Sequence, residues 1–351
     1  ASCWTRPAPP VTGRRPCWGR ISSAIGCRPR GLDTSFIPAS KLAPPIPRPS
    51  ALTLLSQSGA FLLCRRSRQP HLGFGLGVAL GNQMDVSLAD MLGALSDEPS
   101  PGPVAAYIEG FGSGQLAPAA AAVARLRSRG AHVLFHRAGC SAEGRAAAAS
   151  HTGAMAGDLV LERSLLERSG ARFSASLAEF DSALAWLGSY PHLSTGPVGL
   201  VSNAGFESVN GSDLFGPSLP TATLDSAAEG DLRQVLQQAR LDGLVSPRLP
   251  LDLTPMADES AYLAATAIVL RRSAAVVVGL VPFTRRLHTD GEQAKAFATA
   301  LALLARAQGK PLGIVVDAGD DYAGYRDVFA TAGLPVFDRV ETALLGLRVL
   351  G

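Results

Sequence analysis

The stretch GRAAAASHTGAMAGD, residues 144–158, holds one large polar side chain, His151, among alanines and glycines, flanked by the hydroxyls of Ser150 and Thr152. Small residues let backbone and ligand come close and leave a loop free to move. An imidazole in such a loop could be a core histidine, a metal ligand, a general base or a nucleophile. The core reading wants an apolar strand or helix around the ring. The metal reading wants further ligands at useful spacing, and the base reading wants an exposed elbow serine to serve. A further use is phosphate carriage: a neutral ring nitrogen attacks phosphorus and leaves a reactive P–N bond. Residue types alone leave these uses side by side.

Phosphate carriage needs donors for phosphoryl oxygens and a carboxylate for the other ring nitrogen, and both kinds of residue occur. In LTLLSQSGAF (52–61) an apolar strand ends in Ser56, Gln57, Ser58 and Gly59 and turns straight into a helix. Such a turn exposes free backbone N–H groups at the positive end of the helix dipole, a setting that suits phosphate. An ordinary N-cap would need only one of those serines. In AAYIEGFGSG (105–114), Glu109 follows an apolar strand and precedes a glycine-rich turn. A carboxylate at a strand's carboxyl end can fix a histidine tautomer; a solvated strand-end carboxylate is the plainer reading. No Walker loop, nucleophile elbow or intact dinucleotide fingerprint is formed by GFGLG (73–77), EGFGSG (109–114) or any other stretch.

The elements that must position these residues follow from the apolar pattern. From residue 51, runs of four to eight apolar residues alternate with longer amphipathic stretches, which predicts repeated β–α units on parallel sheets. ALTLL (51–55), GVAL (77–80), VAAYI (104–108) and AHVLF (131–135) are expected strands, with helices over 115–129 and 158–169. LGSYPHLSTGP (187–197) reads as a boundary. The pattern then restarts with VGLV (198–201), a helix around 228–241, AAVVVGLVPF (274–283), a long helix near 290–307, PLGIVVD (311–317), a helix near 321–332, LPVF (334–337) and a last helix. VGLVSNAGFE (198–207) echoes LTLLSQSGAF, with Ser202 matching Ser56 and Gly205 matching Gly59. Two doubly wound α/β domains over 50–192 and 193–351 are therefore expected, each with a tight turn at the carboxyl end of its first strand, where open α/β sheets bind ligands.

Residues 1–49 differ in texture. Residues 1–50 carry ten of the 25 prolines and eight Lys or Arg against the single Asp33. Of the 32 basic and 29 acidic residues, 24 and 28 remain for residues 51–351, a net charge of −4, so no basic face for nucleic acid is expected there. The leader is expected to be irregular, with no helical or strand period before about Ile37. Its proline density does not suit the amphipathic helix of an organelle-targeting peptide. The five cysteines form no C-x-x-C pair, so neither a disulfide framework nor a zinc site is expected. Without an apolar run long enough to span a bilayer, a cytoplasmic protein with no membrane partner is expected.

LLSQSGAF, GVALGNQMDVSLADMLGAL, AAYIEG and GRAAAASHTGAMAGD occur here in the order found in the ADP-forming acyl-CoA synthetases (acetate–CoA ligase, ADP-forming), relatives of the succinyl-CoA synthetase alpha chain. GPVGLVSNAG, LPLDLTPMAD and GLPVFDRVETALLGL resemble the family's next ligase domain, so the resemblance covers roughly residues 50–351. It implies two flavodoxin-like ligase domains and the reaction acyl-CoA + ADP + phosphate ⇌ carboxylic acid + CoA + ATP. By the same resemblance, His151 is transiently phosphorylated and Glu109 orients it. Ser56, Gln57, Ser58 and Gly59 hold the phosphoryl group. Asn82 and Asp85, with Ser150, Thr152 and Gly153, lie in the vicinity of the acyl group and CoA. Coenzyme A would be a substrate, with ADP or ATP and Mg2+ supplied through an ATP-grasp (beta-type) partner and no metal held by this chain. The family's CoA-binding Rossmann domain is largely replaced by the leader, of which only DTSFIP (33–38) resembles its tail, and the ATP-grasp module is absent. Phe206 stands where a second glycine is usual, and Leu249 where Asn is. The alternative these departures suggest is a catalytically silent binding or regulatory module, or a truncated gene product with a misplaced start.

Overall fold

Continuous apolar runs become the central strands of two parallel sheets because helices cover both faces of each. The computed structural model describes residues 25–27, 32–34, 37–38, 40–42, 50–152 and 158–351, with backbone alone at 25–27, 32 and 148–152. The chain divides into two compact units, Ala1–Phe180 and Asp181–Gly351.

The first unit contains β1 (Ile25–Cys27), β2 (Leu32–Asp33), β3 (Thr53–Ser56), α1 (Gly59–Arg68), β4 (Leu76–Ala79), α2 (Leu88–Ser96), β5 (Val104–Ile108), α3 (Leu116–Ser128), β6 (Val133–Arg137), α4 (Ala142–Thr152), α5 (Leu159–Arg168), β7 (Arg172–Ser174) and the start of α6 (Leu177–Ser189). Its sheet has the order β2-β1-β4-β3-β5-β6-β7, and the last five of these run parallel. Taken in chain order, β4-β3-β5-β6-β7 is the 2-1-3-4-5 arrangement of the flavodoxin-like fold, with its switch point between β3 and β5. Leu52, Leu54 and Leu55 are fully buried, which accounts for the lack of polar alternation in that run. Helix starts are marked chemically: Ser58 caps α1, Ser87 forms a capping box with Asp90 on α2, and Asp158 caps α5.

Two of these strands fall in the leader, where the composition argued for irregular chain. β1 pairs antiparallel with β4 (Ile25 opposite Val78) and β2 pairs antiparallel with β1. A sheet's outer strand offers unpaired N–H and C=O groups, and a short segment of almost any composition can satisfy them. Asp33 also pairs with Arg66 of α1 at 3.0 Å.

The second unit runs β8 (Val198–Ser202), α7 (Gly205–Leu214), α8 (Ser226–Gln238), β9 (Leu251–Asp252), α9 (Glu259–Arg272), β10 (Ala275–Gly279), α10 (Gly291–Gln308), β11 (Leu312–Val315), α11 (Ala323–Ala332), β12 (Val336–Phe337) and α12 (Val340–Leu350). Its parallel sheet has the order β12-β11-β10-β8-β9, which read from β9 is again 2-1-3-4-5, with the switch point between β8 and β10. The unit also takes the later turns of α6: Trp186 is fully buried, stacks obliquely on Phe337 at 5.4 Å and donates from Nε1 to Ala343 O at 2.9 Å. Among the described residues no helix is long and apolar enough to cross a membrane.

Candidate functional site

Ser56 is the last residue of β3, and its buried hydroxyl folds back on its own turn. Oγ donates to Ser58 O at 2.7 Å and accepts from Ser58 N at 3.1 Å. The Ser58 hydroxyl accepts from Phe61 N at 3.2 Å and so caps α1. These bonds leave the amides of Gly59 and Ala60 without a partner among the described residues. Two free N–H groups at a helix start form an anion-receptive end.

Gln57 has a different use from the one its neighbours suggested. Its Nε2 donates to Gly110 O at 2.7 Å, and its Oε1 accepts from Gly110 N at 3.2 Å and also from Glu109 N. The amide is a strap across the switch point, tying the turn after β3 to the turn after β5. Both polar ends of the side chain are occupied by that strap, so what it presents to a ligand is the position of Glu109.

Glu109 is half-buried at the carboxyl end of β5. Its Oε1 accepts from the Tyr107 hydroxyl at 3.3 Å, while Oε2 is buried with no hydrogen-bond partner among the described residues. Tyr107 stacks on Phe61 at 4.1 Å, and Arg65 lies over the other ring of that pair at 4.0 Å. Burial, with the charge and hydrogen bond of Glu109 behind it, pushes the Tyr107 hydroxyl up to about 12, while Arg65 and Arg137 pull the other way. Tyr107 therefore stays a proton donor to Glu109 across the physiological range.

Asn82 and Asp85 are exposed on the turn after β4, the outer neighbour of β3, where Leu80 N donates to Ser56 O at 2.7 Å. The structure thus gathers Ser56–Gly59, Glu109, Asn82 and Asp85 at one sheet edge. Of His151 the structure describes the backbone alone. Ser150, His151 and Thr152 form the last turn of α4, a helix where the sequence suggested a loop. Ala146 to Ala149 explain the difference, because alanine has the highest helix propensity of any residue. At about 1.5 Å per residue, His151 stands about 14 Å along the axis from Ala142. The side chains of Ser150, His151 and Thr152, and all of Gly153, lie outside the described residues.

Sequence reasoning overlooked Tyr107, Arg137 and Glu162. Tyr107 had a signal, since it shares a strand face with Glu109 at the i, i+2 spacing. The Arg137–Glu162 pair, 2.9 Å apart with side chains 10% and 6% exposed, joins residues on β6 and α5 and had none.

The second unit repeats the device. Ser202 Oγ accepts from Ala204 N at 3.0 Å, and Asn203 exchanges two 2.9 Å bonds with the backbone of Val281 after β10. Ser202 Oγ also donates to Glu207, which is 1% exposed and whose Oε1 has no partner among the described residues. Burial foremost raises Glu207 to about 7; the Ser202 bond opposes this, and Asp317, Glu341 and Asp252 add to it.

The flavodoxin-like strand order agrees with what the comparisons find. Residues 49–187 match the family described as "Succinyl-CoA ligase like flavodoxin domain". The first unit holds a succinyl-CoA ligase like flavodoxin domain. The chain is related to the ADP-forming acyl-CoA ligases through this domain and beyond it. It is 30% identical over 237 residues to the 4-hydroxybutyrate–CoA ligase [ADP-forming] of Nitrosopumilus maritimus, covering 65% of this chain and 32% of that protein. It is 26% identical over 332 residues to the acetate–CoA ligase [ADP-forming] I subunit alpha of Pyrococcus furiosus, covering 92% and 67%. A solved structure of a Korarchaeum cryptofilum acetyl-coenzyme A synthetase with phosphate and ADP superposes with a TM-score of 0.79 at 20% identity, over 93% of this chain and 68% of that one. That likeness establishes the fold. The chain spans about a third of the length of the Nitrosopumilus protein.

Proposed function

We propose that this chain is the ligase core of an ADP-forming acyl-CoA synthetase, working with an ATP-grasp partner. Phosphate displaces CoA from acyl-CoA to give an acyl phosphate. The neutral ring of His151 attacks phosphorus and the carboxylate leaves. ADP then takes the phosphoryl group to give ATP and free histidine. In this reading the amides of Gly59 and Ala60 receive phosphoryl oxygens and the Glu109 carboxylate accepts from the other ring nitrogen, which fixes the tautomer and stabilises the charge that develops on the ring. Tyr107 and Gln57 hold Glu109 in place.

The observation that carries this reading is the Gln57 strap, which sets a carboxylate beside two unpartnered helix-start amides across the switch point. In this reading nucleotide and Mg2+ are held by the partner. The test is to mix the chain with an ATP-grasp subunit, acyl-CoA, ADP and labelled phosphate. An acid-labile label on the wild type and none on His151→Ala is expected. Equal labelling of both, or none on either, ends the proposal.

A further inference from the structure

The proposed reaction leaves one cation at this edge unused. Arg137 is the last residue of β6, opposite Ile108 in the register, and it directly precedes the excursion 138–161 that carries His151. Its Nε donates to Glu162 Oε2 at 2.9 Å, and its Nη1 donates to Ala138 O. Nη2 makes no hydrogen bond with any described residue, and a Cβ placed on Gly110 would stand 3.6 Å from it. The guanidinium is therefore held by its inner edge and turns its outer amino group toward the glycine of the Glu109–Gly110 turn.

The geometry points to Arg137 as a phosphate-contacting residue, with Glu162 as the positioning residue that holds its guanidinium. The inference rests on the phosphohistidine reading for its place in a reaction, but phosphate binding can be measured without turnover. A guanidinium has five N–H donors; the Arg137 side chain is 10% exposed, and the two donors on its Nη2 stay available to a ligand while the rest of the group is held by protein. The Arg137–Glu162 pair is neutral as a unit and Glu109 adds a negative charge across the same turn, so an arriving phosphoryl group depends on direct donors. Nη2 offers two, planar and fixed. Gly110 keeps that face open, since any side chain would cover it.

The experiment is calorimetric titration of the full chain with inorganic phosphate, beside thermal melts. Arg137→Gln is expected to bind phosphate about tenfold more weakly or worse, and Arg137→Lys to recover part of the loss. Gly110→Ala leaves the ion pair intact at an ordinary contact distance, so it should melt like wild type yet lose affinity; it decides the matter should Arg137→Gln not fold. The exchange Arg137→Glu with Glu162→Arg should restore the melt but not the affinity. Wild-type affinity in Gly110→Ala or in the exchanged pair, or no phosphate binding by wild type, overturns the inference. A chain that labels on His151 and yet binds phosphate equally well in these variants loses only the inference, whereas one that binds phosphate and never labels loses the reaction reading alone.

Discussion

Gln57 and Gly110 are bonded twice, N–H to amide oxygen and amide N–H to carbonyl oxygen, although 53 residues separate them. Asn203 bonds Val281 in the same way across 78 residues of the second unit. One polar side chain per unit thus spans the switch point and sets what the neighbouring turn presents. In the first unit that turn carries Glu109. In the second it carries Val281, Pro282 and Phe283, the last of them exposed. The two units share a scaffold and differ in its cargo.

Gln57→Ala should free the Glu109 turn. Three backbone groups lose their partner, a cost of about 1–3 kcal/mol if they stay buried. We expect a lower urea midpoint and phosphohistidine formation slowed at least as strongly as in Tyr107→Phe. Unchanged labelling in a destabilised variant would show that the strap supports the fold alone.

Tyr107→Phe keeps the stacking on Phe61 and removes the hydroxyl that donates to Glu109. Stability should change by no more than about 1.5 kcal/mol. Labelling should fall several-fold, because Glu109 loses the donor that holds its carboxylate in place. Ultraviolet titration of wild type should show two tyrosines ionising near 12, Tyr107 and Tyr190, and the variant only the second.

Glu207 gives the second unit a defined pH dependence. Its folded value is about 7 and its ordinary value 4.5, so between the two the unfolded chain releases a proton that the folded chain keeps. Stability is then complete below about pH 4.5, falls as pH rises towards 7 and is level above that, by an amount on the order of 3 kcal/mol. Denaturant melts at pH 5 and pH 8 should show this difference in wild type, and Glu207→Gln should remove most of it. An equal pH slope in both proteins rules the assignment out.

Trp186→Ala should cost about 3–5 kcal/mol by emptying a fully buried site and orphaning Ala343 O. Loss of the blue-shifted component of tryptophan emission, together with an early melt of the second unit, is the expected result. Trp186→Phe should recover most of the packing but not the hydrogen bond.

The sequence alone was enough for the alternation of strand and helix, the doubling of the plan and the serine turns, because those depend on side-chain period and on bonds between residues two or three apart. VAAYI becomes β5 and DLVLERSLLERS becomes the capped α5, close to where their patterns lie. It also exposed Glu109, since a carboxylate between an apolar run and a glycine turn can stand only at a strand end. Three things needed the tertiary structure. Nothing local showed that the Gln57 amide would bond the turn at Gly110, 53 residues on. Arg137 and Glu162 were two ordinary charges until the packing of α5 on the sheet shielded most of both from water and joined them. The alanines before His151 suited either a close-approach loop or a helix, and the fold chose the helix. In each case the deciding partner is remote along the chain, and local pattern carries no record of which distant group will be near.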